Sequence, residues 1–426
     1  MTTTRRRFGW IGFVLGAMAW TGCGAWEHDE SSGGKDASVD GRAQEDGGAD
    51  GGQDGCPPNL NGAGCGTCVV FVDGDSRAPY PQGRSWADAY RNVPEAMAAA
   101  RFATETYGED LVCEVWVAEG RYFIYGAIPG GGDHREDTIA LAPRVRLYGG
   151  FDGAETSVES RDPRTHETVL DGHEHEDSDE RVLHVITAED DGMMDGFTVT
   201  GGKAVMDDLI PWSEQGGGML VLDGAPVVSD CVFTNNEGKL GGAVAVVNAA
   251  LDVSDTRFVR NASTHEGGAL YLVSSRTKLA SCVLAANTAE DFGGAVFLDY
   301  GETSLVNVTS FGNSAGSGGA VHGRPLEAVN SVFFGDSPDE ISSSTAQVTY
   351  SDVAGGYEGE GNLDADPLFA DAAALDLRLL PGSPCVDMGD DASARAADID
   401  GNPRTDVPGA GVPGRISDMG AHELVP

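Results

Sequence analysis

The sequence predicts a parallel β-helix. Three observations carry that expectation: a short motif that returns about every 25 residues between positions 216 and 336, strand-length apolar runs inside each return, and Gly, Asn and Asp at the joints between runs. The motif is an apolar residue followed three places later by Asn or Asp, then by Gly-Gly and an apolar pair. It reads Phe233 to Asn236 then Gly241-Gly242-Ala243-Val244, Phe258 to Asn261 then Gly267-Gly268-Ala269-Leu270, and Leu284 to Asn287 then Gly293-Gly294-Ala295-Val296. Gly217-Gly218-Met219-Leu220 opens the series, and Asn313 with Gly318-Gly319-Ala320-Val321, then Phe333 to Asp336, close it. A fixed period of this length marks a solenoid, in which each repeat buries its apolar face only against its neighbours.

Runs such as Val244-Ala245-Val246-Val247 and Tyr271-Leu272-Val273 have strand length and no 3.6-residue stripe, which excludes helical repeats. Several short strands per turn then stack coil on coil at the interstrand spacing of about 4.8 Å. Asn236, Asn261, Asn287 and Asn313 fall in one column. An amide carries both donors and an acceptor, so such a column bonds coil to coil, and these asparagines read as structural.

The first 22 residues read as an address. Thr4-Arg5-Arg6-Arg7-Phe8 resembles a twin-arginine export signal, though general secretory export also fits. The apolar run Trp10 to Trp20 is too short to span a bilayer, and Thr21-Gly22-Cys23 resembles a bacterial lipobox, with Trp20 where Leu is usual. Acylation of Cys23 would hold the chain on a membrane, giving an exported, lipid-anchored protein of the outer membrane or cell surface. Residues 23–66 then form a Gly- and Asp-rich tether with almost nothing able to build a core.

Basic residues number 27 against 68 acidic ones, a formal net charge of −41 that becomes more negative once Arg5, Arg6 and Arg7 are removed. Nucleic acid is excluded as a partner; divalent cations, Ca2+ among them, and basic polymers are compatible with this surface.

The body is expected as a solenoid over 67–365 with a carboxy-terminal end or cap over 366–426. Val69-Val70-Phe71-Val72 and Val115-Trp116-Val117 read as strands of the first coils. Between them a helical stretch from about Trp86 to Thr106, with Trp86, Tyr90, Val93, Met97 and Arg101 on one face and a kink or fresh start at Pro94, reads as the amino-terminal cap that an open solenoid end requires.

Gly83-Arg-Ser-Trp86, Glu114-Val-Trp-Val-Ala118, Arg146-Leu-Tyr-Gly-Gly-Phe151, Val169-Leu-Asp-Gly172 and Asp195-Gly-Phe-Thr-Val-Thr-Gly-Gly202 together resemble the secreted right-handed parallel β-helix proteins of bacteria, the pectin-lyase-like class. The tail, Asp366-Pro-Leu-Phe369, Pro381-Gly-Ser-Pro384 and Asp398-Ile-Asp-Gly-Asn-Pro-Arg404 leading to Asp418-Met-Gly-Ala-His-Glu423, resembles the carboxy-terminal segment of the choice-of-anchor Q family. The resemblance implies a right-handed coil and a surface or secreted protein, and it brings no common enzymatic activity.

Cys68 and Cys113 each sit at a strand of successive coils, close enough to bridge, which leaves Cys56 with Cys65 as a local loop; a zinc site using Cys65-x-x-Cys68 is the alternative. Cys231 and Cys282 are expected two coils apart, with Thr256 between them, as buried free thiols. Catalytic candidates follow from the chemistry of β-helix enzymes that cleave acidic polysaccharides with carboxylates and a basic residue: Asp223, Asp299, Glu302, Arg276 and Lys278, which form no recognisable motif. His173 and His175 place two imidazoles on one strand face, a spacing for a transition metal, within a polar loop. Two functions emerge: a surface-displayed module binding polysaccharide or another surface partner, and a polysaccharide lyase or hydrolase.

Overall fold

Each coil turns at residues held in left-handed backbone. The computed structural model describes residues 67–425, apart from 108, 129–132, 189, 206–209 and 211. In one coil the strands Val244–Val247, Ala250–Ser254, Arg257–Val259 and Ala262–Glu266 are separated by corners at Asn248, Asp255 and Arg260, with φ of 54°, 51° and 56°, and Gly241 enters at 71°. The next coil repeats the pattern at Gly267, Ser274, Ser281 and Ala286. Left-handed backbone disfavours residues with a Cβ, and Gly, Asn and Asp tolerate it best, which explains their place at the joints. The second glycine of each pair answers a different constraint. A Cβ on Gly242 would stand 2.4 Å from the carbonyl oxygens of Ala262 and Gly268, so only glycine lets the coils approach.

Corresponding strands pair in parallel up the stack, with Val244 opposite Leu270, Leu270 opposite Val296 and Val296 opposite Val321. The two longest strands, Leu270–Ala285 and Val296–Phe311, bend through three sides of the coil in one pairing. The result is a right-handed parallel β-helix, with the hand that crossovers between parallel strands take. Alternate side chains fill its interior. On the third side Phe233, Phe258, Leu284, Ser310 and Phe333 succeed one another in register, all fully buried, and the Phe233 and Phe258 rings stack at 5.2 Å.

The asparagine column runs directly beside them. Asn261 Oδ1 accepts from the backbone N–H and Nδ2 of Asn236, both at 3.1 Å; Asn287 does the same for Asn261, and Asn313 for Asn287. Each Nδ2 also donates to a carbonyl of the preceding coil, that of Val199, Phe233, Phe258 or Leu284. Asp336 ends the series. Its Oδ1 accepts from the Asn313 N–H and Nδ2, and its Oδ2 accepts from the Ser310 hydroxyl at 2.7 Å. Asp has no Nδ2 to donate, so a buried serine stands where the other coils carry an apolar residue. Glu340 packs against this carboxylate: burial, then the Asp336 charge, pushes its carboxyl up to about 9, and burial raises Asp336 as well.

The amino-terminal helix is shorter than the sequence suggested. Trp86–Asp88 forms one 3-10 turn, and the α-helix, α1, spans Val93–Thr106, capped by the Asn92 side chain accepting from the Glu95 N–H at 2.9 Å. Pro94 starts α1 rather than kinking it, because proline fits the first turn, where no helical donor is needed. Val93, Ala96, Met97, Ala100 and Ala103 join the core of the strands Thr67–Val72 and Val112–Ala118. Arg101 leaves that face and pairs with Glu105 in solvent, while Trp86 packs outside the coil between Phe71 and Phe151. Cys68 and Cys113 are register partners in these two strands and form a disulfide, so no zinc site can use Cys68. Closing a loop of 45 residues contributes on the order of 4 kcal/mol in the chain-entropy account. Cys23, Cys56 and Cys65 lie outside the described residues.

The carboxy-terminal segment does not simply close the end of the coil stack. It forms a hairpin of Phe369–Asp371 and Asp376–Leu379 and then doubles back along the outer surface of the third side. Leu377, Ile399 and Ala421 cover Val283 and Ala285; Leu379, Val386 and Met419 cover Val332. These outward apolar residues would otherwise face water, which is why the tail is drawn there. Arg257 bonds the Asp400 carboxylate at 2.7 Å, Arg395 pairs with Asp255 at 2.9 Å, and Arg164 donates to the Asp400 and Ile399 carbonyls. The family-like motif residues hold the tail itself: the Asp398 carboxylate accepts from the N–H groups of Asp400, Asn402 and Glu423, and Arg404 pairs with buried Glu423 at 2.8 Å.

Replacing Asn287 by Ala removes the acceptor of the Asn261 backbone N–H and of one Asn261 Nδ2 hydrogen, together with the side-chain donor to the Phe258 carbonyl, in a dry interior, so Asn287→Ala is expected to lose about 3 kcal/mol in chemical denaturation. Asn235→Gly, at an exposed left-handed corner, is expected to change stability by less than about 0.5 kcal/mol. Because Glu340 binds its proton more tightly when folded, its contribution is complete below the ordinary carboxylate value of 4.5 and is lost as pH rises towards about 9. The Glu340→Gln variant cannot ionise, so the wild-type melting temperature is expected to fall relative to it across that window. Cys231, Cys282 and Cys385 are buried and free, and burial raises all three thiols. Thiol reagents followed by peptide mapping are expected to label them only after unfolding, without reductant.

Candidate functional site

Outward-facing positions of the second side are free of the packing rules that fix the interior, and there the chain brings two cations together. Arg276 and Lys278 lie two residues apart on one strand, so both point outward while Thr277 between them is buried. Register places Glu302 opposite Arg276, Asp252 and Ser304 on either side of Lys278, and Glu327 beyond Ser304. An open cleft of about 490 Å³ is lined by Arg276, Thr277, Lys278, Glu302, Thr303, Ser304, Pro325 and Glu327.

Neither the Arg276 nor the Lys278 side chain forms an ion pair or hydrogen bond among the described residues, although Glu302 and Asp252 stand on adjacent strands. Many other cations in this acidic chain are committed: Arg161 to Asp195, Arg181 to Glu237, Lys239 to Glu214, Arg257 to Asp400 and Arg404 to Glu423. At an exposed position a lateral pair contributes only about 0–1 kcal/mol, so the two side chains remain available to a ligand at little cost.

The five residues singled out from the sequence do not form one site. Arg276, Lys278 and Glu302 share the cleft. Asp299 lies round the corner on the first side, in a separate opening with His322 and Arg324. Between the two openings stands Tyr300, left-handed at φ 59° and 70% exposed. Asp223 is a corner residue at φ 62°, three coils before Tyr300 in the succession through Asn248 and Ser274 and therefore roughly 14 Å away along the stack. Glu327 was missed. Asp252, Lys278, Ser304 and Glu327 each precede their coil's ladder residue by nine positions, so counting back from the ladder places them in one column.

The two histidines lie against different carboxylates. His173 Nδ1 lies 2.6 Å from the buried Asp171 carboxylate, which also binds Arg121, while His175 points to Glu174 at 3.8 Å in the loop between the strand Thr168–Asp171 and Arg181. Among the described residues no three His, Cys, Asp or Glu side chains converge on a metal-sized position. Another opening, of about 210 Å³, is lined by Arg164, Asp230 and Arg257, and both arginines are already bound to the tail.

No family model matches this chain, and no curated protein matches it. Among solved structures it is similar to pectate lyase Pel9A, at 13% identity over 84% of this chain and 96% of that chain, with a TM-score of 0.38. It is also similar to a pectin methylesterase solved with a hexasaccharide, at 10% identity over 68% of this chain and 80% of that one, with a TM-score of 0.33.

Proposed function

We propose that this chain is a surface-anchored binding module for acidic polysaccharide. The reading rests on one observation: two exposed cations, unpaired and side by side on one strand, line the 490 Å³ cleft in a chain where acids outnumber bases 68 to 27. A polymer carrying carboxylates along a repeating backbone would meet Arg276 as a planar fork and Lys278 as a point charge, while Ser304 offers a hydroxyl to its sugar oxygens. Glu302 and Glu327 bound the cleft and would accept hydrogen bonds from the sugar hydroxyls between the carboxylates. An acylated Cys23 would hold the chain at a membrane.

The same cleft joins carboxylates and cations, which is the observation favouring a lyase or hydrolase as the second reading. Incubating the protein with a polyuronate and with a neutral glucan, with and without calcium, separates the two. Binding to the polyuronate without unsaturated products or new reducing ends is the expected result; turnover transfers the assignment to an enzyme. Arg276→Ala with Lys278→Ala is expected to weaken polyuronate binding at least tenfold, about 1.4 kcal/mol. Binding by the unaltered protein is expected to fall as salt shortens the Debye length from about 8 Å to about 3 Å.

A further inference from the structure

Successive coils on the first side carry a column of stacked rings that stops short. Tyr271 stacks on Phe297 with centroids 5.5 Å apart and planes 7° from parallel, and Phe297 on His322 at 6.0 Å and 5°. Phe292 packs on His322 from the neighbouring corner at 4.5 Å and 32°. Rings stacked rung on rung turn their faces along the stack, so the far face of His322 looks towards the next coil. There its register partner is Ser342, one of the smallest side chains, followed by Ser343 and Ser344. An opening of about 270 Å³ results, lined by Phe297, Asp299, His322, Arg324 and the three serines.

We propose that this opening is a subsite for one pyranose ring of a neutral polysaccharide, seated on the free face of His322. The size admits a single sugar ring and falls just below the roughly 300 Å³ at which drug-sized pockets begin. A pyranose has an apolar C–H face to lie on the ring and a rim of hydroxyls for polar neighbours. Asp299 and Arg324 are opposite each other in register yet share no ion pair or hydrogen bond among the described residues, leaving an acceptor and a donor fork for that rim. The Ser317 hydroxyl donates to Ser342, so His322 Nδ1–H donates to Ser317 and Nε2 is left as an acceptor. A protein aromatic side chain would fill the stack but leave these polar groups unmatched. A uronate would bring its carboxylate against Asp299. The subsite takes a neutral sugar where the Arg276–Lys278 cleft takes an acidic one, and the two can fail separately.

The test uses the intact protein with cellotetraose, maltotetraose and mannotetraose as probes, followed by saturation-transfer NMR and calorimetry. At least one is expected to bind with a dissociation constant on the order of 1 mM. Ser342→Phe, which supplies the missing ring, and His322→Ala, which removes the platform, are each expected to weaken that binding at least tenfold, with melting temperatures recorded for both. Should Ser342→Phe fail to fold, Asp299→Asn takes its place, with the same loss expected. The Arg276→Ala, Lys278→Ala protein is expected to bind the tetrasaccharide as the wild type does. No binding of any probe, binding untouched by these substitutions, or binding lost only with Arg276 and Lys278 would overturn the proposal.

Discussion

Coil-to-coil registration rests on a column of amides sealed from water. Because Asn261, Asn287 and Asn313 each accept two hydrogen bonds from the rung before and donate back to that rung's carbonyl, a slip of one residue between these rungs would strand several buried polar groups together. Ladder residues are 25, 26, 26 and 23 positions apart, so rung length varies while the column does not. The candidate cleft lies on an outer face, away from this column.

That division explains what was readable beforehand. The period, the strand lengths and the Asn236–Asn313 column are written in residues whose backbone or hydrogen-bonding demands admit few substitutes. The reason for the second glycine in each pair is a contact with the coil above, which no single repeat displays. Ser310 takes an apolar position in its column because the carboxylate of Asp336, one rung on, is its partner, a contact that the repeat pattern does not display. The tail's course along the third side depended on outward apolar residues such as Val283 and Val332, and an alternating strand pattern does not reveal which of its two faces is covered. The candidate cleft was half legible: Arg276, Lys278 and Glu302 could be named, but grouping them with Glu327 and separating them from Asp223 required the rung-to-rung register.

Electrostatics sorts the surface in a similar way. A chain this acidic repels itself, and many of its described arginines offset that by tying a corner or the tail to a carboxylate. Cations left without such a duty are conspicuous. Arg276 and Lys278 are two of them, on the face where Tyr300 also stands clear of the coil. The outer surface thus offers a charged patch and, past Tyr300, a truncated ring stack on adjacent sides of the same coils.

Arg164 and Asp400 are joined across 236 residues. Stacks whose units touch only their immediate neighbours can peel apart from either extremity. Here the returning segment grips early and late rungs at once, so peeling must begin with its release and the barrel behaves more nearly as one cooperative body. Long-range closure of this kind also slows folding. During synthesis the contact stays open until Asp400 has left the ribosome, and a chain truncated before the returning segment would display a bare greasy flank suited to aggregation.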